Sequence, residues 1–95
     1  MPKATRASDV RTFTDIPNIG KAMAADFRRL GITEPEQLRG QNPDAMYERL
    51  CSVTKERQDP CVLDTFVAAV RFMEGGPAQP WWDFTAERKA RKAAR

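Results

Sequence analysis

The sequence predicts an all-α domain of about five short helices, on three observations. Thr33-Glu34-Pro35-Glu36, Asn42-Pro43 and Asp59-Pro60 each pair a capping side chain with a proline, the form of a helix start. The apolar residues around them recur at spacings of three and four, which places them on single helical faces. No stretch alternates apolar and polar residues with a period of two, so no sheet is expected.

In chain order, residues 1–7 read as a disordered arm. Ser8 can cap a short first helix over residues 9–13, with Val10 and Phe13 on one face. Pro17 stops it by about Asp15, because the residue before a proline disfavours the helical region. A second helix is predicted over residues 20–30, with Ile19, Met23, Phe27 and Leu30 on its inner face and Gly31 at its left-handed end. The capping box at Thr33 opens a short third helix through Leu38, ended near Gly40. The fourth covers residues 43–54, with Met46, Leu50 and Val53 aligned. The fifth starts at Pro60, carries the wide stripe Leu63, Phe66, Val67, Val70 and Met73, and stops at Gly75-Gly76-Pro77. Residues 8–76 are thus read as the domain, and residues 77–95 as a Pro/Trp linker and a basic C-terminal helix or tail.

Composition bounds the function. A chain of 95 residues makes one domain with a modest core. No apolar run approaches the roughly 20 residues of a membrane span, and the N-terminus lacks the apolar segment of a secretory signal, so a cytoplasmic protein without membrane contact is expected. The net charge is +3. Residues 1–15 carry three basic against two acidic side chains, residues 16–75 eight against nine, and residues 76–95 five against two. The positive excess therefore sits at the C-terminal end, and basicity does not argue that the core binds nucleic acid. There is no histidine, no Walker-type glycine loop and no nucleophile elbow, so no enzyme, cofactor or metal site is expected.

The stretch Ile16-Pro17-Asn18-Ile19-Gly20-Lys21 is the most informative. A helix, an apolar-Pro-turn-apolar-Gly segment and a second helix make a helix-hairpin-helix element. Asn18 falls where the turn needs positive φ, and asparagine is the most tolerant residue there after glycine. The free amides around Gly20, Lys21 and Ala22 then form an anion site at a helix start, suited to a phosphodiester backbone without base readout. The alternative is a hairpin that only packs helices. A second, degenerate hairpin falls at residues 55–59, which lack glycine.

Three further features have two readings each. Cys51 and Cys61 are read as small buried residues of a helix–helix contact, with a redox or ligand role as the alternative; a first-turn position would lower the Cys61 thiol pKa. In Trp81-Trp82-Asp83-Phe84, at least one Trp is read as covering the open end of the core, with base stacking or partner docking as the alternative. The segment from Arg88 to Arg95 is read as a solvated helix, with Glu87 four residues before Arg91, and non-specific phosphate contact as the alternative.

Ile16-Pro-Asn-Ile-Gly-Lys21, Asp26-Phe27, Leu30-Gly-Ile32, Pro43, Tyr47, Leu50-Cys51, Asp59-Pro-Cys-Val-Leu-Asp64 and the late Trp-Trp also resemble a known family in order and spacing. It is the small bacterial pathogenicity-locus, or mitomycin-resistance-like, family, and the match spans about residues 8–84. The resemblance implies a tandem helix-hairpin-helix (SAM-like) fold related to the C-terminal domain of the competence regulator TfoX. This chain departs from that pattern at Lys55, where Thr-Gly is usual, which confines the implied phosphate site to residues 17–22. The expectation is sequence-independent binding of DNA through Pro17, Asn18, Ile19, Gly20, Lys21 and Ala22. A protein-interaction module, with a protein partner or a homodimer, and a thiol function at Cys51 and Cys61 are the alternatives.

Overall fold

In the computed structural model, which describes residues 3–93, the chain packs around one helix. The described residues form four α-helices linked by 3-10 turns, with no strand among them. The helices are α1 (Lys21–Arg29), α2 (Pro43–Thr54), α3 (Pro60–Met73) and α4 (Thr85–Ala93). The 3-10 turns are Ala7–Asp9, Phe13–Asp15, Pro35–Leu38 and Trp81–Phe84. None of the helices is long and apolar enough to cross a membrane.

Helix α3 is buried almost all round, from Asp64 to Val70 and again at Phe72 and Met73. A helix with so little polar surface belongs at the centre, and the other elements cover its sides. Helix α2, the turn Pro35–Leu38 and the C-terminal turn and helix all pack on α3. Helix α1 reaches it through stacked rings: Phe13 lies 5.1 Å from Phe27, and Phe27 lies 5.6 Å from Phe66 on α3. Ile16, Ile19, Leu38 and Leu50 complete the sealed interior.

The helix starts follow from the caps. Asn42 Oδ1 accepts from the Asp44 and Ala45 amides at 2.9 and 3.2 Å, and Asp59 Oδ1 accepts from the Cys61 amide at 3.0 Å. Pro43 and Pro60 occupy the next position, where a missing N–H is harmless. The third start differs from expectation in its register. Gln37 Oε1 accepts from the Glu34 amide, so the capping box is Glu34 with Gln37 rather than one opening at Thr33, and the element is a single 3-10 turn.

The first predicted helix is replaced. No α-helix forms over residues 9–13; Asp9 ends one 3-10 turn, Phe13 starts another, Val10 and Thr12 between them are extended, and Ser8 is not a cap. The cause is Asp15, whose Oδ2 accepts from the amides of Arg11 and Thr12 at 3.0 Å each and starts a new turn at Phe13. Four residues later Pro17 forbids extension of that turn into a helix.

Both ends of the chain are more engaged than predicted. The Ala4 amide donates to the Asp15 carbonyl at 2.8 Å, and Ala4 and Ala7 pack on the core. The segment after Gly76 folds back over α3, with Phe84 buried against Val67 and Ala68. Gly76 permits this return, because a Cβ there would meet the Arg71 carbonyl oxygen at 2.8 Å. Met1, Pro2, Ala94, Arg95 and the side chains of residues 91–93 lie outside the described residues, and with them the Glu87–Arg91 pair and the last charges of the basic segment.

Candidate nucleic-acid interface

The hairpin turn is built by its two isoleucines. Ile16 and Ile19 are both fully buried, and the Ile19 amide donates to the Ile16 carbonyl at 3.1 Å. Pro17 supplies the fixed φ of the second position, and Asn18 takes φ +73° at the third. A proline followed by positive φ is the signature of a type II turn. The expected left-handed Asn18 is therefore present.

Gly20 follows in extended conformation and caps α1 with no side-chain hydrogen bond. Its carbonyl accepts from the Ala24 amide at 3.0 Å, while Gly20, Lys21 and Ala22 lie exposed. Nothing lies within 4 Å of a Cβ built on Gly20, so the space in front of the helix start is open. The sequence reading missed Lys3. Its Nζ donates to the carbonyls of Thr14 and Ile19, both at 2.5 Å, which sets a second ammonium beside Lys21's end of the turn. No local signal announces a contact 16 residues long, and that residue lay in the arm read as disordered.

Asn18 has a further role that the sequence did not disclose. Its Nδ2 donates to the Gln79 carbonyl at 2.7 Å, and its Oδ1 accepts from the Trp81 amide at 3.3 Å. The side chain is thus committed inside the protein, and with Ile19 buried and Pro17 half-buried the exposed part of the expected site is Gly20, Lys21 and Ala22.

The connection from α2 to α3 also holds a left-handed residue, here as the cap that ends α2. Lys55 is left-handed at φ 57°, ψ 33°, so the hairpin closes without glycine. The start of α3 is filled by Asp59, whose carboxyl lies below its ordinary pKa because it accepts from the Cys61 amide. A carboxylate thus occupies the start of α3, where the start of α1 is open.

Cys51 lies on α2 and Cys61 in the first turn of α3. Both are free and half-buried. Cys51 Sγ accepts from the Gln58 amide at 3.4 Å, beneath the Tyr47 hydroxyl, which donates to the Gln58 carbonyl. The Cys61 thiol pKa is raised, against the expectation of a lowered one: burial comes first, then the hydrogen bond and the charge of Asp59. The helix-start effect is outweighed by burial first, and then by the Asp59 cap, which is itself an anion. No group of three or more His, Cys, Asp or Glu among the described residues is placed to hold a metal ion.

The C-terminal aromatic segment divides. Phe84 is the plug, with the Arg71 guanidinium 5.1 Å from its ring centroid. Trp81 is half-buried, and Trp82 remains 61 % exposed. Arg88, read as solvated, is instead drawn inward to the fully buried carboxylate of Asp64.

The sequence profile of a family described as pathogenicity locus matches residues 6–90. The mitomycin resistance protein McrB of Streptomyces lavendulae is 47% identical over 83 residues, which is 87% of this chain and 79% of that protein. No solved structure matches the chain significantly. The matched region runs past the aromatic turn to Arg88, the same stretch that folds back over α3.

Proposed function

The chain belongs to the pathogenicity locus family, and from the geometry of its first hairpin we propose that it is a small non-enzymatic cytoplasmic protein that binds DNA backbone phosphates irrespective of sequence. The observation that carries this reading is the open start of α1. Gly20, Lys21 and Ala22 are exposed, no side chain caps them, and a rigid Pro17-Asn18 turn presents them. Amides at a helix start favour an anion by about 0.3–1 kcal/mol at an exposed site. Lys21 and Lys3 add mobile and fixed positive charge respectively. With Asp59 closing the second turn, one phosphate position remains, so a single copy binds weakly and tight binding needs a partner or a second copy.

The test is affinity for a short duplex as a function of salt, for the native protein and for Gly20→Glu and Lys21→Glu. A backbone contact gives an affinity that falls with salt, and loss of Lys21 lowers the log–log slope by about one. Neither substitution meets an internal clash, since the space at Gly20 is open and Lys21 is exposed. Absence of binding at low salt refutes the reading. Binding that survives both changes and disappears when Lys89, Arg91 and Lys92 are replaced by Gln, with Thr85 and Arg88 kept on Asp64, moves it to the C-terminal segment.

A further inference from the structure

Trp82 is a large apolar side chain that the fold does not use. In the turn Trp81–Phe84, residues three apart share a face, so half-buried Trp81 and buried Phe84 point toward α3 and Trp82 points away. Its indole stands edge-to-face on that of Trp81, at 5.7 Å and 83°. The turn is fixed at both ends. Asn18 grips Gln79 and Trp81 on one side, and Asp64 grips Thr85 and Arg88 on the other. Trp82 is therefore an exposed ring on a rigid mount rather than a mobile tail residue.

The mount is the hairpin itself. Asn18, whose side chain holds Trp81, is two residues from Gly20 in the same turn, and the Lys3 ammonium sits on the Ile19 carbonyl between them. Aromatic rings beside positive charge are how single-stranded nucleic acid is held: the backbone lies along the cations and an unpaired base stacks on the ring. Paired bases inside a duplex offer no such face. Resting on the phosphate reading above, we propose that the Trp81–Trp82 pair is a base-stacking platform next to the hairpin, and that the preferred ligand is single-stranded DNA. Asp83, exposed beside the ring, opposes phosphate and keeps the affinity modest.

The experiment measures binding of a labelled oligothymidine, an abasic strand of equal length and a closed-end duplex, with native protein, Trp82→Ala and Lys21→Glu. Circular dichroism checks that each variant keeps its helices; Trp82 is exposed and its removal opens no cavity. The native protein is expected to prefer oligothymidine over duplex by about tenfold, with indole fluorescence quenched on binding. Trp82→Ala should abolish that preference while leaving duplex affinity unchanged, and the abasic strand should bind the native protein as weakly as oligothymidine binds the variant. Lys21→Glu should weaken all three ligands together. Equal binding of strand and duplex, unmoved by Trp82→Ala, overturns the platform and leaves the phosphate reading standing. Absence of binding to every ligand overturns both. Self-association that is lost in Trp82→Ala, with DNA affinity unchanged, assigns the ring to a second copy and also overturns the proposal.

Discussion

Arg88 closes the fold on Asp64. The guanidinium Nε donates to Oδ1 at 2.8 Å and Nη2 to Oδ2 at 3.3 Å, across 24 positions of chain, and Thr85 Oγ1 adds a third bond at 2.7 Å. Asp64 is wholly buried and Arg88 only 18 % exposed. Removing one partner of such a pair leaves an uncompensated charge in the interior, which costs about 3–5 kcal/mol. Arg88→Ala should therefore lower the urea midpoint strongly, by about 3 kcal/mol in stability. Replacing both partners, Asp64→Leu with Arg88→Met, should recover most of the loss. A single variant within 0.5 kcal/mol of native, about the size of an ordinary surface change, would show that the pair does not close the fold.

The pair also marks where sequence reasoning stopped. Helices α2 and α3 were readable because cap and proline agree at Asn42-Pro43 and Asp59-Pro60, but the inner face of α2 is Met46, Tyr47 and Leu50, and Val53, aligned with them by spacing, is 52 % exposed. The Pro17-Asn18 turn was readable because a proline before asparagine leaves few alternatives for it. Arg88 was not, because a basic residue among alanines carries no sign of a partner on another helix. The 9–13 helix was misread for a related reason. Asp15 captured the amides of Arg11 and Thr12, a competition between side chain and helix that the 3.6-residue pattern does not express. Lys3 and Asn18 belong to the same class, since each makes contacts 16 or more residues away.

Asn18 joins the hairpin to the aromatic turn, and the joint can be cut without disturbing the turn. Asn18→Gly keeps the left-handed φ and deletes the bonds to Gln79 and Trp81. The loss is expected to be about 1–2 kcal/mol, from two hydrogen bonds. Amide exchange should quicken at Trp81, while the helix α1 amides keep their protection. Unchanged exchange at Trp81 would mean that the C-terminal segment holds its place without Asn18.

Lys55 makes the opposite case, a position where the chain carries strain it does not require. Its φ of 57° closes the α2–α3 connection, a conformation glycine adopts freely and lysine does not. The side chain is exposed, so nothing is lost with it. Lys55→Gly should raise stability by about 0.5–1 kcal/mol, after the greater freedom of glycine in the unfolded chain is deducted. Lys55→Ala should be near neutral. Chemical denaturation with an unchanged slope checks both, and a destabilised glycine variant would contradict the strain.

The Cys61 thiol offers a prediction in pH. Its pKa is raised in the folded protein, first by burial and then by Asp59, so the neutral thiol is the favoured form. The stabilisation that follows is present below the unfolded thiol's pKa and is lost as pH rises through the higher folded value. Alkylation of Cys61 in the native protein should therefore be slow at neutral pH, and its rate should rise with a midpoint above that of a free thiol. Asp59→Asn, which keeps an acceptor for the Cys61 amide and removes the charge, should move the midpoint down. Measuring iodoacetamide incorporation at Cys61 against pH, with Cys51→Ser to remove the second thiol, separates the two outcomes. A midpoint below the free-thiol value would return Cys61 to the class of activated cysteines and revive a thiol function at the start of α3.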